Sequence, residues 1–410
     1  MGATTLKLEH SILRTGADLL ITGSKSESNR ALILKALYSD VVLKNLSNSD
    51  DTKLLQKALS SAEHTIDIHH AGTAMRFLTA FLATRVGQKY CLTGSSRMKE
   101  RPIGVLVKAL KDLGADIQYA EMEGYPPLNI NGCRLTGNYV ELEASVSSQY
   151  ISALLLIGPS LEKGLRLRLL GNITSRPYIE MTLSLLNRLG VLTEFIGDTI
   201  VVHPLAGLDE EKIITIESDW SSASYFYSLI ALSGVGTEIH LNHYFKNSLQ
   251  GDSVVQSIYR SFGVDTEFTQ EGINIRKTAP ASKQQLELDL SDAPDIAQTI
   301  AVSCFGLGSP CHLTGLHTLK IKETDRLTAL QVELSKLGAS IEVTQNSLTL
   351  KASSSMRADQ RITTYNDHRM AMAFAPLALS GAISIEDPSV VSKSYPDFWD
   401  DLSHLGVLFK

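Results

Sequence analysis

The chain has 410 residues, with 38 Lys and Arg against 44 Asp and Glu, and a formal net charge of −6. At roughly 100–200 residues per domain, this length predicts two domains. Hydrophobic residues make up 43% of the chain, enough for large cores, so disorder is excluded as the main state. The negative balance and the lack of a basic run exclude a general nucleic-acid binder. The most apolar stretch, Met370 to Ile385, is interrupted by Pro376 and Gly381 and falls short of the ~20 residues a spanning helix needs. Glu9, His10, Arg14 and Asp18 break up any signal-peptide core. The scattered Cys91, Cys133, Cys304 and Cys311 read as free thiols, so a cytoplasmic protein without a disulfide framework or zinc site is expected.

In chain order, one pattern recurs. A polar cluster opens an apolar, Ala-rich helix. A β-rich run follows, then a second helix with a Gly stop, then an alternating strand. The first helices start near Ser26, Thr73, Ser148, Ser222, Ala293 and Asp367, and four of the five steps are 71–75 residues. The second helices end in LVKALKDLGADIQY (106–119), LLNRLGVLTEF (185–195), IYRSFGVDTEF (258–268), ELSKLGASIEV (333–343) and DDLSHLGV (400–407). The first copy, ending in LLQKALSSAEHTIDI (54–68), lacks the Gly and is short by about one strand plus loop. Generic α/β alternation is the competing explanation. Six units suit two domains of three, cut near Ile214 to Asp219. The stretch from Thr4 to Ile21 precedes copy one and can pair in either half.

The starts of the first helices carry the chemistry. A helix N-terminus presents unpaired N–H groups and about half a positive charge, which suits anions. GSKSESNR (23–30), AGTAMR (71–76), VSSQY (146–150), DWSSASYF (219–226), SDAPD (291–295) and YNDHRMAM (365–372) are all clusters of capping or donor residues. Any one is also explained as a plain N-cap. GSKSESNR adds Lys25 and Arg30 to its hydroxyls and suits a phosphate, though it is no P-loop, since GxxxxGK[ST] is absent. RMKERPIG (97–104) groups Arg97, Lys99 and Arg101, and reads equally as a solvated loop. IKETDRL (321–327) places Lys322, Glu323 and Arg326 within one and a half turns, and an ion-pair face explains it as well. Asp367, His368 and Arg369 abut a wholly apolar helix, which is costly unless they face a site.

In this order, GSKSESNR, AGTAMR, RMKERPIG, VSSQ, KETDR, YNDHRMAM and SKSYPDF (392–398) resemble the EPSP synthase family of enolpyruvyl transferases, along almost the whole chain. The resemblance implies an α/β (α+β) fold: a two-domain inside-out prism of six βαβαββ repeats, with the site in the interdomain cleft. Domains 1–20 plus 219–410, and 21–218, are expected. It implies transfer of the enolpyruvyl group of phosphoenolpyruvate to the 5-hydroxyl of shikimate 3-phosphate, by addition and elimination through a tetrahedral intermediate. No cofactor, metal or covalent nucleophile is implied. The partners implied are these small molecules, without nucleic acid or membrane, and the chain is expected to be a monomer. Asp292, Glu323 and Lys25 are implied as catalytic. Shikimate 3-phosphate is implied at Lys25, Ser26, Arg30, Ser147, Ser148, Gln149, Ser175, Asp292 and Lys322. Phosphoenolpyruvate is implied at Lys25, Gly72, Arg97, Gln149, Arg326, Arg369 and Lys393.

These residues include seven cations and only two carboxylates, so positive charge is expected to gather at one place and steer polyanions. Departures from the family pattern are His70 where Asn is usual, Phe77 where Pro is usual, Arg176 for Lys and Thr318 for Asn. Two other readings compete. A UDP-N-acetylglucosamine enolpyruvyl transferase would need a loop Cys, and Cys91 lacks its Gly-Cys-Ala context. A non-catalytic binder of phosphorylated acids would gain nothing from Asp292 and Glu323.

Overall fold

The computed structural model describes residues 4–143, 147–171, 173 and 175–410. The chain divides into two compact units, Gly23–Ile216 and Glu217–Lys410, and the second also takes the chain start up to Thr22.

In the 23–216 unit, strands Thr65–Asp67, Lys89–Thr93, Leu128–Asn131 and Asp116–Tyr119 form one sheet in that order. Tyr139–Glu143, Leu165–Leu170, Thr199–Val202 and Thr193–Ile196 form another. In both, the first two strands are parallel and the later pairs antiparallel. A parallel pair needs a crossover, and here it is a helix, Gly72–Ala83 or Ser148–Ile157. The 217–410 unit repeats the order and senses twice. One sheet is Ala17–Leu19, Glu238–Asn242, Gly272–Lys277 and Val264–Phe268; the other is Leu286–Asp289, Cys311–Thr314, Leu348–Leu350 and Ile341–Val343.

The two remaining sheets are shorter. Among the described residues, Val41–Lys44 pairs with Lys212–Thr215 alone, in parallel. After helix Asp50–Ser60 the chain runs directly into Thr65–Asp67, so the first repeat has no closing hairpin. That omission accounts for its short step. Gln360–Ile362 and Ile383–Glu386 are parallel, and Thr5–Leu8 joins antiparallel to the second. The chain start therefore serves two sheets of the 217–410 unit. The strand just before the fourth first-helix, Lys212–Thr215, instead completes the first repeat.

Each unit is built around its three first helices. Gly72–Ala83, Trp220–Leu232, Ala297–Leu307 and His368–Phe374 are buried almost all round. A helix apolar on every side belongs in an interior. Lys25–Leu37, Gly72–Ala83 and Ser148–Ile157 pack on one another, as do the other three. Second helices such as Asp50–Ser60 and Arg176–Arg188 bury one face only. Where the chain enters the 23–216 unit, a Cβ on Gly23 would lie 1.8 Å from the Asn45 carbonyl oxygen, so only glycine fits. Asn45 Nδ2 donates to the Ile216 carbonyl at 2.9 Å, which ties entry to exit. All four cysteines are free, and no helix of the described residues is long and apolar enough to cross a membrane.

Candidate functional site

In the 23–216 unit, the polar residues expected at helix starts are at helix starts. Lys25 opens helix Lys25–Leu37, whose cap Ser24 accepts from the Glu27 amide. Its Nζ lies 3.7 Å from Oδ2 of Asp51, a 3% exposed carboxylate whose Oδ1 is 4.0 Å from His70 Nε2. Ser26, next along the helix, is half-buried. Ser147 caps helix Ser148–Ile157 through the Gln149 amide, with Ser148 half-buried beside it. Gln149 Nε2 reaches Thr73 Oγ1 at 3.2 Å, joining the start of this helix to the start of Gly72–Ala83. Val146 of the VSSQY cluster and Thr174 beside Ser175 lie outside the described residues. Ser175 itself is buried and left-handed, with φ 54°, just before helix Arg176–Arg188.

Two expected binding residues are placed differently from an open cation. Arg30 is 2% exposed. It donates to Thr182 Oγ1, Ser152 Oγ and the Ser26 carbonyl, and its guanidinium lies over the Phe77 and Tyr178 rings. Burial lowers its pKa to about 10, so it stays charged at neutral pH. Arg30 thus holds three helices together beneath the Lys25–Ser26 turn. Arg97 is exposed and ion-paired with Glu100 at 2.8 Å. Gly72 opens its helix beside the Arg101 guanidinium, which an added Cβ would push aside. Phe77 is buried beside Arg30, and Arg176 pairs with Glu180 while lying over Phe195.

The 217–410 unit gathers its expected residues into one ion cluster. Arg326, the first residue of helix Arg326–Lys336, is 2% exposed. Its guanidinium reaches Asp367 Oδ2 at 2.7 Å, Glu323 Oε2 at 2.8 Å and Asp295 Oδ1 at 3.1 Å. Lys393 Nζ takes the other Glu323 oxygen at 2.9 Å, and Lys322 Nζ stands 3.5 Å from Asp295. Arg369 contacts the Asp295 carboxylate at 3.2 Å and carbonyl at 3.1 Å, and Ser221 Oγ at 3.3 Å. Asp367 also accepts from the Arg369 amide and so caps the buried helix His368–Phe374.

Two corrections follow. Asp292 is exposed and joins none of these ion pairs. The carboxylate brought to Lys322, Arg326 and Arg369 is Asp295, three residues on. Pro294 opens a short 3-10 helix, Pro294–Ile296, that puts Asp295 in its first turn and leaves Asp292 in the preceding turn. The expected gathering of positive charge is also met by more carboxylates in this unit than the two named. Lys322, Arg326, Arg369 and Lys393 are interleaved with Asp295, Glu323, Asp367 and the buried Asp252.

Asp252, in the short 3-10 helix Gly251–Val254, had no sequence signal, since the segment carries no motif. Its Oδ2 accepts from Ser221 Oγ, and Oδ1 has no hydrogen-bond partner among the described residues. Burial, reinforced by Asp295, raises its pKa to about 7. Asp295 and Ser221 were legible in outline, because SDAPD and DWSSASYF stood out, but not by residue. Thr318 Oγ1 is buried without a partner among the described residues, close in sequence to Lys322.

Comparisons with known proteins identify the family. The family model described as "EPSP synthase (3-phosphoshikimate 1-carboxyvinyltransferase)" matches residues 55–402. A relative from Bacteroides fragilis named 3-phosphoshikimate 1-carboxyvinyltransferase is 47% identical, over 96% of each chain. One of the same name from Aliivibrio fischeri is 36% identical, over 96% of this chain and 98% of its own. The solved EPSP synthase of Acinetobacter baumannii superposes with TM-score 0.80 at 21% identity, covering 99% of both chains. The enolpyruvyl transferase NikO of Streptomyces tendae superposes with TM-score 0.74 at 15% identity. At such identities the two structures speak to the fold alone.

Proposed function

We infer the activity from one premise: this chain belongs to the EPSP synthase (3-phosphoshikimate 1-carboxyvinyltransferase) family. It transfers the enolpyruvyl group of phosphoenolpyruvate to the 5-hydroxyl of shikimate 3-phosphate and releases phosphate. The observation that carries this is the 47% identity over 96% of both chains to a relative of that name.

The geometry supplies chemistry of the right kind. Both substrates carry a phosphate and a carboxylate. Arg326 and Arg369 offer planar forks suited to carboxylate and phosphate, and Lys25, Lys322 and Lys393 offer point charges. Protein carboxylates hold these cations, so they are already oriented and an arriving anion exchanges partners with them. The reaction adds the 5-hydroxyl oxygen to C2 of phosphoenolpyruvate and a proton to C3. Loss of phosphate and of a C3 proton restores the double bond. We assign Glu323, between Arg326 and Lys393, to proton transfer at C3. We assign Asp295, in place of Asp292, to the hydroxyl proton. Thr318 is a hydroxyl available to the shikimate ring. Lys25, Ser26, Ser147, Ser148, Gln149 and Ser175 are assigned to the phosphorylated acceptor. Arg30 supports that group from beneath, and Gly72 and Arg97 belong to the phosphoenolpyruvate side. The protein acts as a monomer in the cytoplasm.

Incubation with phosphoenolpyruvate and either shikimate 3-phosphate or UDP-N-acetylglucosamine, read by mass spectrometry, tests the substrate assignment. A product heavier by the enolpyruvyl group is expected with shikimate 3-phosphate only. Product with the nucleotide sugar alone would overturn it.

A further inference from the structure

Glu333 is none of the residues assigned above to substrate or to proton transfer. It lies seven residues after Arg326 on helix Arg326–Lys336, two turns along the same face. It is fully buried. Lys336 Nζ contacts both carboxylate oxygens, at 2.8 and 2.7 Å. Its other two partners lie in the loop that enters helix His368–Phe374. Tyr365 Oη donates to Oε1 at 2.6 Å, and the Thr363 amide to Oε2 at 3.2 Å.

That loop is strained. Tyr365 and the following Asn366 both have positive φ, 54° and 55°. Asn tolerates this conformation, but for a bulky side chain it is unfavourable and persists only when surroundings enforce it. The next residues are Asp367, His368 and Arg369. The helix therefore grips the loop at two points: Glu333 holds Thr363 and Tyr365, and Arg326 holds Asp367.

We propose that Glu333 is a positioning residue for the enolpyruvyl transfer, fixing the Tyr365–Asn366 turn so that Asp367 and Arg369 meet Arg326 and Asp295 in register. The proposal rests on the activity inferred above for its kinetic consequence, not for its structural one. Burial and the Glu333 contact push the Tyr365 hydroxyl well above its ordinary pKa, so it remains a hydrogen-bond donor throughout the working range.

The test uses the full chain as wild type, Glu333→Gln and Tyr365→Phe. Tyr365→Phe removes one hydroxyl and keeps the buried carboxylate paired with Lys336, so it decides the matter if Glu333→Gln fails to fold. Hydrogen exchange by mass spectrometry over residues 363–370 should speed up about tenfold in either variant, with exchange in the remaining first helices unchanged. KM for phosphoenolpyruvate, the substrate assigned to Arg369, should rise about tenfold, while KM for shikimate 3-phosphate stays within about twofold. A merely structural role would lower the active fraction and leave both KM values unmoved. Unchanged exchange across 363–370 overturns the proposal whatever the kinetics show. Local loosening without the KM split overturns its catalytic part. A wild type that releases no phosphate with shikimate 3-phosphate indicts the activity assignment instead, and the exchange measurement still judges Glu333.

Discussion

Asp252 sits 4% exposed, with one oxygen on Ser221 and the other unbonded among the described residues. Burial, reinforced by Asp295, raises its pKa from 3.8 to about 7. The folded state thus holds a proton that the unfolded chain gives up at lower pH. Stability from this group falls as pH rises from about 4 to 7, and the full cost of the buried charge is present above 7. Asp252→Asn keeps an acceptor for Ser221 and removes that charge. It is expected to stabilise the protein at pH 8 by about 1–3 kcal/mol, with the gain vanishing toward pH 4. Denaturant melts across that range measure it, and a gain independent of pH would contradict the assignment. At this scale the sequence was legible only in part. Glu323, Arg326, Arg369 and Lys393 were named and do meet in one cluster. The resemblance points to Asp292 within SDAPD, and only the turn around Pro294 separates it in space from Asp295. Arg30 looked like an open phosphate ligand because its burial depends on Thr182 and Ser152, which are far away in sequence.

At the scale of elements, the six first helices were readable because each is a long apolar run with a polar start. The strand exchange was legible only by half: the family resemblance joins 1–20 to 219–410, whereas nothing local in Lys212–Thr215 announces its pairing with Val41–Lys44. Helix ends also need non-local partners. Lys277, 3% exposed at the end of strand Gly272–Lys277, donates through Nζ to the Ala231 carbonyl at 2.8 Å and the Phe262 carbonyl at 2.5 Å. Ala231 lies in the last turn of helix Trp220–Leu232, where carbonyls lack helical partners. Burial lowers the Lys277 pKa to about 8, so a neutral amine, which can still donate, is within easy reach. Lys277→Met keeps the stem but strands two buried carbonyls. A loss of about 2–4 kcal/mol is expected by denaturant melting. A loss under ~0.5 kcal/mol would mean that other groups satisfy those carbonyls.

For the whole molecule, the consequence of the strand exchange is an asymmetry between the units. Gly23–Ile216 is one continuous segment, whereas the 217–410 unit needs the chain start. Leu8, Leu13, Leu19 and Ile21 are all buried in its core. Each buried side chain of this kind contributes about 1.5–3 kcal/mol, against a total stability of about 5–15 kcal/mol. A chain lacking residues 1–21 should therefore lose exchange protection in the 217–410 strands while the 23–216 strands keep theirs. Equal loss in both would show that the units fold as one. The period of 71–75 residues made the two-by-three organisation readable, whereas the borrowed strands are long-range pairings that no local pattern announces.

The central claim is that the 217–410 cluster does enolpyruvyl chemistry with Asp295, rather than Asp292, at the acceptor hydroxyl. Phosphate release from phosphoenolpyruvate, with and without shikimate 3-phosphate, should be measured for wild type, Asp292→Asn and Asp295→Asn. Release is predicted to require shikimate 3-phosphate, to survive in Asp292→Asn within about threefold, and to fall about 10²–10⁴-fold in Asp295→Asn. Full activity in Asp295→Asn with collapse in Asp292→Asn, or release indifferent to shikimate 3-phosphate, would contradict it.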